Sequence, residues 1–409
     1  MKNRKIIIPI LLSAIIMSAC TGNASTKDIA KIGNTVNDHK IESSKDSQLT
    51  EQQLVFNEFW NLYDRYYPSF NRKGIDWQKI YDTYYPLVSN NTSDEDLFKI
   101  FEEIIILIDD GHTSLTYKDR EAVSEDNSIP EIMETFENVT PTLVNIVESS
   151  KDNQLISYGK LKNNPKIGYI NSKVFMPMTE DGEENEENFE KEMKKFENTI
   201  EEALIYLKDT DGIIIDVRGN GGGDGGLATH LAGRFFKNSP VEYSRKRIKI
   251  AAGSKESAFG EWVTKEFDGI KDKRSMEGTM ASVGPEFNTI GATGSFQYTK
   301  PVVVLTSWTT ASSGEYFTVA MKTQPHVTTV GNRTCGIFSG SENVILSNGN
   351  GKWTTNISVQ DTEFMFNGKF QGLEGKGITP DYLLIPTKED IENNKDIHIE
   401  KALEIIYSH

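Results

Sequence analysis

The spacing of apolar side chains divides the chain into a helical first part and a second part in which strands and helices alternate. Between Gln48 and Leu107, apolar residues recur every three or four positions, which is the period of an amphipathic helix. They include Val55, Phe56, Phe59, Trp60, Leu62, Tyr63, Leu97, Ile100, Phe101, Ile104 and Ile105. Pro68 and the NRKG turn after it stop the first helix. We therefore predict a small helical bundle here.

After Leu115, short apolar runs alternate with amphipathic segments. The predicted strands are 166–175, 212–217, 301–307 and 328–331. The predicted helices are 187–209, 226–236 and the segment after Ser312. Apolar strands that alternate with helices indicate an α/β core with a largely parallel sheet. Asn-Gly turns within 341–359 add a late β-hairpin to this prediction.

The first twenty residues have the pattern of an export signal. Three basic residues precede an apolar run from Ile6 to Ile16, and small residues lead to Cys20. The run is too short for a membrane-spanning helix. The cysteine resembles that of the bacterial lipobox, which is acylated after the signal is cut before it. The alternative is a plain secretory peptide cut near Ala19. Residues 21–47 lack aromatic residues and a sustained apolar period, which is typical of a tether.

These patterns predict four regions. They are a signal peptide (1–19), a lipoprotein tether (20–47), a helical bundle (48–108) and an α/β core (109–409). The predicted location is the bacterial cell envelope, where acyl chains on Cys20 would hold the protein on a membrane facing the periplasm or the cell exterior.

Charge and cysteine content exclude several classes of function. Asp and Glu number 60 against 44 Lys and Arg, and the net charge of −16 argues against a nucleic acid partner, which needs a basic surface. Cys20 and Cys335 are the only cysteines, so with Cys20 acylated no internal disulfide can form. The six histidines show no H-E-x-x-H or other metal spacing, so no metal ion is predicted.

The glycine-rich stretch DVRGNGGGDGG (216–226) follows a predicted buried strand. Gly221, Gly223 and Gly226 formally fit the G-x-G-x-x-G pattern of dinucleotide sites. An exported protein has little access to NAD, so we predict no cofactor. The other use of such a turn is an oxyanion hole, in which main-chain N–H groups stabilise a developing negative charge. Asp216 and Arg218 are predicted to pair with each other and to brace the turn.

Two further stretches carry groups that could react. His112 in LIDDGHTSL stands at a turn after the helical region, and its role is either structural or that of a general base. Ser312 in TSWTTASSGEYF stands where a strand leads into a helix, whose N-terminus favours an alkoxide. Ser312 and Glu315 also have capping-box spacing. The stretch is not the G-x-S-x-G turn of α/β-hydrolases. Cys335 is predicted to be a packing residue.

Six motifs together resemble the tail-specific, or C-terminal processing, serine peptidases. DGHT, GYI, IIIDVRGNGGG, VVVLTSWTTASSGE, GNRTCG and EGKGITPD occur in the order of that family. The chain is most similar to the branch that contains tricorn protease and the interphotoreceptor retinoid-binding protein modules. The resemblance implies a crotonase-like (ClpP/crotonase-type) α/β core behind a helical bundle. The stretch from Leu115 to Ile156 is too short for a PDZ insert.

The resemblance also implies a role for each site residue. Ser312 would be the nucleophile, His112 its general base and Glu374 the acid that orients the base. The main-chain N–H groups that form the oxyanion hole would be those of Gly222, Gly223 and Ser313. Where the classical processing peptidases have a catalytic lysine, this chain has Ile337, so a Ser-Lys pair is not expected. Tricorn has a serine before its histidine where this chain has Gly111, which leaves the route from Glu374 to His112 open.

The function implied is that of an extracytoplasmic serine peptidase that cleaves peptides or proteins through an acyl-enzyme. Two alternatives use the same fold. One is a non-catalytic carrier of an apolar ligand or peptide, as the retinoid-binding relative illustrates. The other is an esterase with the same triad.

Overall fold

The structure is a computed structural model that describes residues 49–151, 155–175, 186–237, 240–263, 288–366 and 368–408. The predicted signal peptide, the tether and Cys20 lie outside these residues. Within the described ranges, no helix is long and apolar enough to cross a membrane.

The helices follow one another in the order of the predicted pattern, with short additional helices between them. They are α1 (Glu51–Tyr66), α2 (Phe70–Lys73), α3 (Trp77–Tyr84), α4 (Asp94–Ile108), α5 (Pro130–Glu134), α6 (Thr140–Leu143), α7 (Glu148–Lys151), α8 (Glu186–Leu207), α9 (Gly225–Gly233), α10 (Ser313–Lys322), α11 (Lys388–Glu392) and α12 (Ile397–Ser408). A π-helical turn, Thr135–Val139, joins α5 to α6.

The strands begin after α4 and continue almost to the end of the chain. They are β1 (Ser114–Tyr117), β2 (Arg120–Val123), β3 (Val144–Ile146), β4 (Ile156–Leu161), β5 (Ile167–Ser172), β6 (Gly212–Asp216), β7 (Val241–Glu242), β8 (Ser244–Ile248), β9 (Thr289–Ile290), β10 (Val302–Thr306), β11 (Val327–Gly331), β12 (Ser341–Ile345), β13 (Trp353–Ser358), β14 (Gln360–Phe366), β15 (Lys369–Gln371) and β16 (Tyr382–Leu383).

The first four helices pack around an aromatic core. Thr50 caps α1 through a capping box with Gln53, and Ser93 caps α4 by accepting the N–H of Asp96. The core extends into β13, because the ring of Trp353 lies 5.5 Å from that of Phe101. The helical region is therefore closed by a sheet in which β1 and β2 pair with β13 and β12 from the second half of the chain. The boundary at 108 remains a prediction.

A seven-stranded sheet in the order β16-β11-β10-β6-β5-β4-β3 forms the centre of the α/β part. The strands from β16 to β5 are parallel, which confirms the predicted parallel core. Next to them, β4 runs antiparallel to β5, and β3 runs antiparallel to β4. Ile213 and Ile215 face a core built with α8, α9 and α10. Ile214 faces the opposite side, where α12 packs. Because helices cover both faces of this sheet, side chains on both faces of β6 and β10 are buried, which explains why the two strands are continuous apolar runs.

The smaller sheets complete the mixed α/β fold. The predicted late hairpin is present as β12 and β13, with β1 pairing on the other side of β13. The three-stranded sheet β15-β14-β8 was not predicted. Its strands carry alternating charges that pair across the sheet, as Arg247 Nε does with Asp361 Oδ2 at 2.8 Å and Arg245 Nε with Glu363 Oε2 at 2.9 Å. These charges hide the apolar alternation by which a strand is recognised.

Candidate active site

The turn between β10 and α10 holds Ser312 in an unusual backbone conformation. Its φ is 50° and its ψ is −121°, a region that residues other than glycine rarely adopt and that costs about 1–3 kcal/mol. The residues beside it, Ala311, Ser313 and Gly314, are small, and a Cβ on Gly314 would lie 2.9 Å from the Asn220 carbonyl oxygen. Ser312 thus stands on a tight strand-to-helix turn without the G-x-S-x-G sequence.

The glycine turn after β6 packs directly against Ser312. Gly222 and Gly223 have φ values of 110° and 123°, which a residue with a side chain tolerates poorly. A Cβ on Gly222 would lie 2.7 Å from Ser312 Cβ and 2.8 Å from the Ala311 carbonyl oxygen. Ser313 Oγ donates to the Gly223 carbonyl oxygen at 2.5 Å. The glycines are therefore needed for close contact between the two turns.

The main-chain N–H groups of this region differ in availability. The Gly222 N–H donates to Asn220 Oδ1 at 2.9 Å. The N–H groups of Gly223 and Ser313 have no hydrogen-bond partner among the described residues. Of the three predicted oxyanion donors, two are free, whereas that of Gly222 is engaged by Asn220.

Glu315 ties the first turn of α10 to the segment 334–338. The buried carboxylate accepts four hydrogen bonds: from Thr334 Oγ1 at 2.5 Å, from the N–H groups of Gly336 and Ile337 at 2.8 Å each, and from the Ser312 N–H at 3.3 Å. Burial raises the pKa of Glu315 to about 8, and the four hydrogen bonds act in the opposite direction. Glu315 thus accepts the N–H of the N-cap residue, as predicted for a capping box, and it also holds the segment 334–338.

The main chain of His112 is held on both sides, whereas Nδ1 of its ring is unpaired. Its N–H donates to Asp110 Oδ1 at 2.9 Å, and its carbonyl oxygen accepts from Asn356 Nδ2 at 2.7 Å. His112 Nδ1 is buried without a hydrogen-bond partner in the structure. Burial lowers the pKa of His112, and the carboxylate of Asp110 and a hydrogen bond to the main chain of Ser339 act in the opposite direction. The imidazole is therefore poised as a neutral base.

Glu374 is only 3% exposed, and one of its oxygens is unpaired. Its Oε2 accepts from the Phe338 N–H at 2.9 Å, and its Oε1 has no hydrogen-bond partner in the structure. Burial, followed by the charge of Asp110, raises the pKa of Glu374 well above its ordinary value. Burial therefore disfavours the charged form of this carboxyl group.

Contacts with the segment 334–338 bring the three predicted catalytic residues into the same region of the structure. Ser312 and Ile337 donate to the same Glu315 oxygen, Oε2, and Glu374 binds the Phe338 N–H. A Cβ on Gly111, beside His112, would lie 3.2 Å from two Ile337 side-chain carbons. Within the described ranges, no hydrogen bond joins His112 to Ser312 or to Glu374. Catalytic hydrogen bonds are often long or unformed before substrate binds.

The other residues singled out from the sequence are structural. Arg218 donates from Nε to Asp216 Oδ1 at 3.0 Å, which confirms the predicted pair. Arg218 also donates to Asp396 Oδ2 at 2.9 Å, and this partner was not predicted because it lies 178 residues away along the chain. Burial raises the pKa of Cys335, so the thiol form predominates and the side chain has the character of a packing residue.

The structure has a large open cavity away from these residues and a small one beside them. The larger, about 770 Å³, lies between the first helices and the segment 251–258. The smaller, about 30 Å³, is bordered by Gly111, Trp308 and Ile337, among others. Across the residues that the structure describes, no three His, Cys, Asp or Glu side chains lie together as metal ligands would.

Comparison with known families decides the class of protein. Residues 166–384, more than half of the chain, match the model of peptidase family S41. The chain belongs to peptidase family S41. Residues 49–105 match the C1 domain of tricorn protease, so the helical region also resembles that of a known peptidase. The resemblance found in the six motifs is thereby confirmed, and the protein is a serine-type peptidase that acts on peptides or proteins.

Solved structures with the same fold include other proteins of this kind. A candidate peptidase from Parabacteroides merdae ATCC 43184 shares 23% identity with a TM-score of 0.66, over 88% of this chain and 97% of that one. Mature CPAF, complexed with lactacystin, shares 14% identity with a TM-score of 0.57, over 87% of this chain and 97% of that one. At these identities the similarity shows the fold alone. No protein of curated function matches the sequence.

Proposed function

We propose that this S41 peptidase cleaves its substrate through an acyl-enzyme formed on Ser312, with His112 as the general base. The observation that carries the proposal is the backbone of Ser312, which is strained at φ 50° and ψ −121° at the N-terminus of α10. Strain of this kind persists where surrounding structure enforces it, and Gly222 and Glu315 enforce it here. This backbone conformation fixes the direction of the Cα–Cβ bond that carries the hydroxyl.

The reaction follows from the groups on either side of the serine. Neutral His112 takes the Ser312 proton as Oγ bonds to the peptide carbonyl carbon. The free N–H groups of Gly223 and Ser313 bind the oxyanion that forms. His112 then gives its proton to the leaving amine as the C–N bond breaks, and water, deprotonated by His112, hydrolyses the ester. In this scheme Gly222 shapes the turn and Gly223 donates.

Glu374 is proposed to orient His112 once substrate is bound. His112 Nδ1 and Glu374 Oε1 are both buried and both without partners, which native structures rarely tolerate. A hydrogen bond between them would satisfy both atoms. It would also hold the imidazole ring in the tautomer that accepts a proton from Ser312.

Incubation of the purified protein with a defined peptide mixture, read by mass spectrometry, tests this function. We expect new peptide termini with the wild type and none with Ser312→Ala. A p-nitrophenyl ester is assayed in parallel. Ester hydrolysis without peptide cleavage would favour the esterase, and inertness toward both would favour the non-catalytic carrier.

We further propose that the protein is an exported lipoprotein of the cell envelope, that its domains are those predicted from the sequence, and that its core is crotonase-like. The support for export is the pattern of residues 1–20, which ends at Cys20. Metabolic labelling with a fatty-acid analogue should mark the wild type and leave Cys20→Ala unmarked. Label retained in Cys20→Ala would contradict acylation at this residue.

A further inference from the structure

A buried carboxylate lies two residues before His112, at Asp110. Its side chain is completely buried. Oδ1 accepts the His112 N–H at 2.9 Å, and Oδ2 accepts the Tyr67 hydroxyl at 3.0 Å. Its carbonyl oxygen accepts the Thr113 N–H at 2.8 Å and Thr113 Oγ1 at 2.9 Å. Asp110 is thus fixed in orientation and organises the whole turn that carries His112.

Asp110 has no cationic partner in the described part of the chain. No Lys or Arg forms an ion pair with it, although a buried carboxylate normally requires one. Lys73 lies close to the turn, where its Nζ donates to the Asp109 carbonyl oxygen at 2.5 Å, and His112 is the titratable base within the turn itself. A negative charge held in a low-dielectric site stabilises a positive charge that develops next to it. The arrangement therefore favours the state in which His112 has accepted a proton.

Other titratable groups face Asp110 from the elements packed around the turn. Burial raises the pKa of Tyr63 and Tyr67 on the α1 side and of Cys335 and Glu374 on the other side, and the charge of Asp110 adds to each of these shifts. Lys73 acts on Glu374 in the opposite sense. Each of these shifts favours the protonated, neutral form of the group beside Asp110.

We propose that Asp110 is a positioning residue for the reaction: it holds the His112 turn through the main-chain N–H and stabilises the imidazolium that forms when Ser312 loses its proton. The proposal rests on the assignment of His112 as the general base. The proton moves from Ser312 Oγ to His112 and onward to the leaving amine, and Asp110 takes none. Glu374 orients the ring, whereas Asp110 supplies the charge.

The test is Asp110→Asn, which keeps the shape of the side chain and removes its charge. We expect kcat to fall about 10- to 100-fold with KM nearly unchanged. We also expect the acid limb of the kcat/KM profile to move to lower pH by about one unit, since the charge that raises the pKa of His112 is gone. A fall in activity with an unmoved acid limb would show a merely structural role and overturn the proposal.

Two companion variants make the result decisive. Glu374 could ionise once Asp110 is neutral, so Asp110→Asn is also made with Glu374→Gln. The double variant should show the full downward shift of the acid limb.

Tyr67→Phe removes one anchor of the Asp110 carboxylate and leaves its charge. We expect kcat to fall about threefold, which corresponds to the loss of one hydrogen bond, with the acid limb unmoved. If Asp110→Asn does not fold, an unchanged kcat in Tyr67→Phe overturns the proposal.

Failure of this proposal is distinct from failure of the proposed function. The rate at which a fluorophosphonate probe modifies Ser312 is measured for wild type and Asp110→Asn across pH. Absence of modification in the wild type would reject the serine mechanism itself. Modification of both proteins with the same pH dependence would leave the mechanism standing and reject the role of Asp110.

Discussion

The turn that carries the nucleophile and the turn that carries the base are built in different ways. Around Ser312, the glycine turn, Asn220 and Glu315 fix nearly every polar group, and two N–H groups remain free. Around His112, the main chain is fixed, but Nδ1 of the ring and Oε1 of Glu374 are buried and unpaired. The Ser312 turn is organised before substrate binds. In our proposal, the His112 turn depends on the charge of Asp110 and on a hydrogen bond between His112 and Glu374 that forms only with substrate.

The largest expected effect comes from removing the base. His112→Gln has no group that can accept the Ser312 proton, so we expect single-turnover peptide cleavage to slow on the order of 10⁴-fold. Stability should change little, because His112 Nδ1 has no hydrogen bond to lose. His326→Gln is the matched control, since His326 Nε2 is also buried without a partner, and it should keep full activity. Full activity in His112→Gln would make the His112 turn structural only.

A change in the glycine turn tests how closely the nucleophile turn must fit. In Gly222→Ala the new Cβ would lie 2.7 Å from Ser312 Cβ, at a φ of 110°. Displacement of Ser312 should lower kcat about 100-fold. The control is Gly221→Ala, where φ is not positive and the loss should be much smaller. Equal activity in the two variants, in initial-rate assays, would show that the close packing is not needed.

Loss of the Glu315 carboxylate should reduce stability. Glu315→Ala leaves Thr334, Gly336, Ile337 and Ser312 without an acceptor, so we expect the free energy of unfolding to fall by about 3 kcal/mol. Urea unfolding measures this. Glu392→Ala, at an exposed position, should change stability by less than about 0.5 kcal/mol. Similar values for both variants would show that Glu315 does not stabilise the Ser312 turn.

The smallest effect is the position of the acid limb in the wild type. Burial lowers the pKa of His112 from 6.5, and activity requires the neutral ring. The folded enzyme should therefore lose kcat/KM only as the pH falls to a midpoint below 6.5, measured between pH 4 and 8. A midpoint above 6.5 would mean that charges around His112 outweigh its burial, opposite to the environment described here.

The sequence predicted the parallel core well because buried strands leave a continuous apolar record. β5, β6 and β10 and the helices after them lie within a few residues of the predicted ranges. The sheet of β8, β14 and β15 escaped prediction because paired charges on its strands mask their alternation. A local sequence pattern indicates which side chains are buried, but it does not indicate which charges form ion pairs across a sheet.

The nucleophile turn was easier to predict than the base turn for a similar reason. Ser312 and Glu315 are close in sequence, and the glycine turn is a compact motif. The turn that carries His112 is held by Tyr67, through Asp110, and by Asn356, and both residues are distant in sequence. Asp110 stands in the same motif, but its hydrogen bond to Tyr67, 43 residues away, leaves no local signal in the sequence. In the sequence, the strained backbone of Ser312 is indicated only by the small size of the residues beside it.

The most direct test of the central claim is labelling of the purified protein with a fluorophosphonate probe, followed by peptide mapping. The account predicts one modified residue, Ser312, with labelling abolished in Ser312→Ala and retained in Ser313→Ala. Ser313 is the matched control because it is the adjacent serine and its Oγ is already bonded to the Gly223 carbonyl oxygen. Labelling that persists in Ser312→Ala would contradict the assignment of the nucleophile.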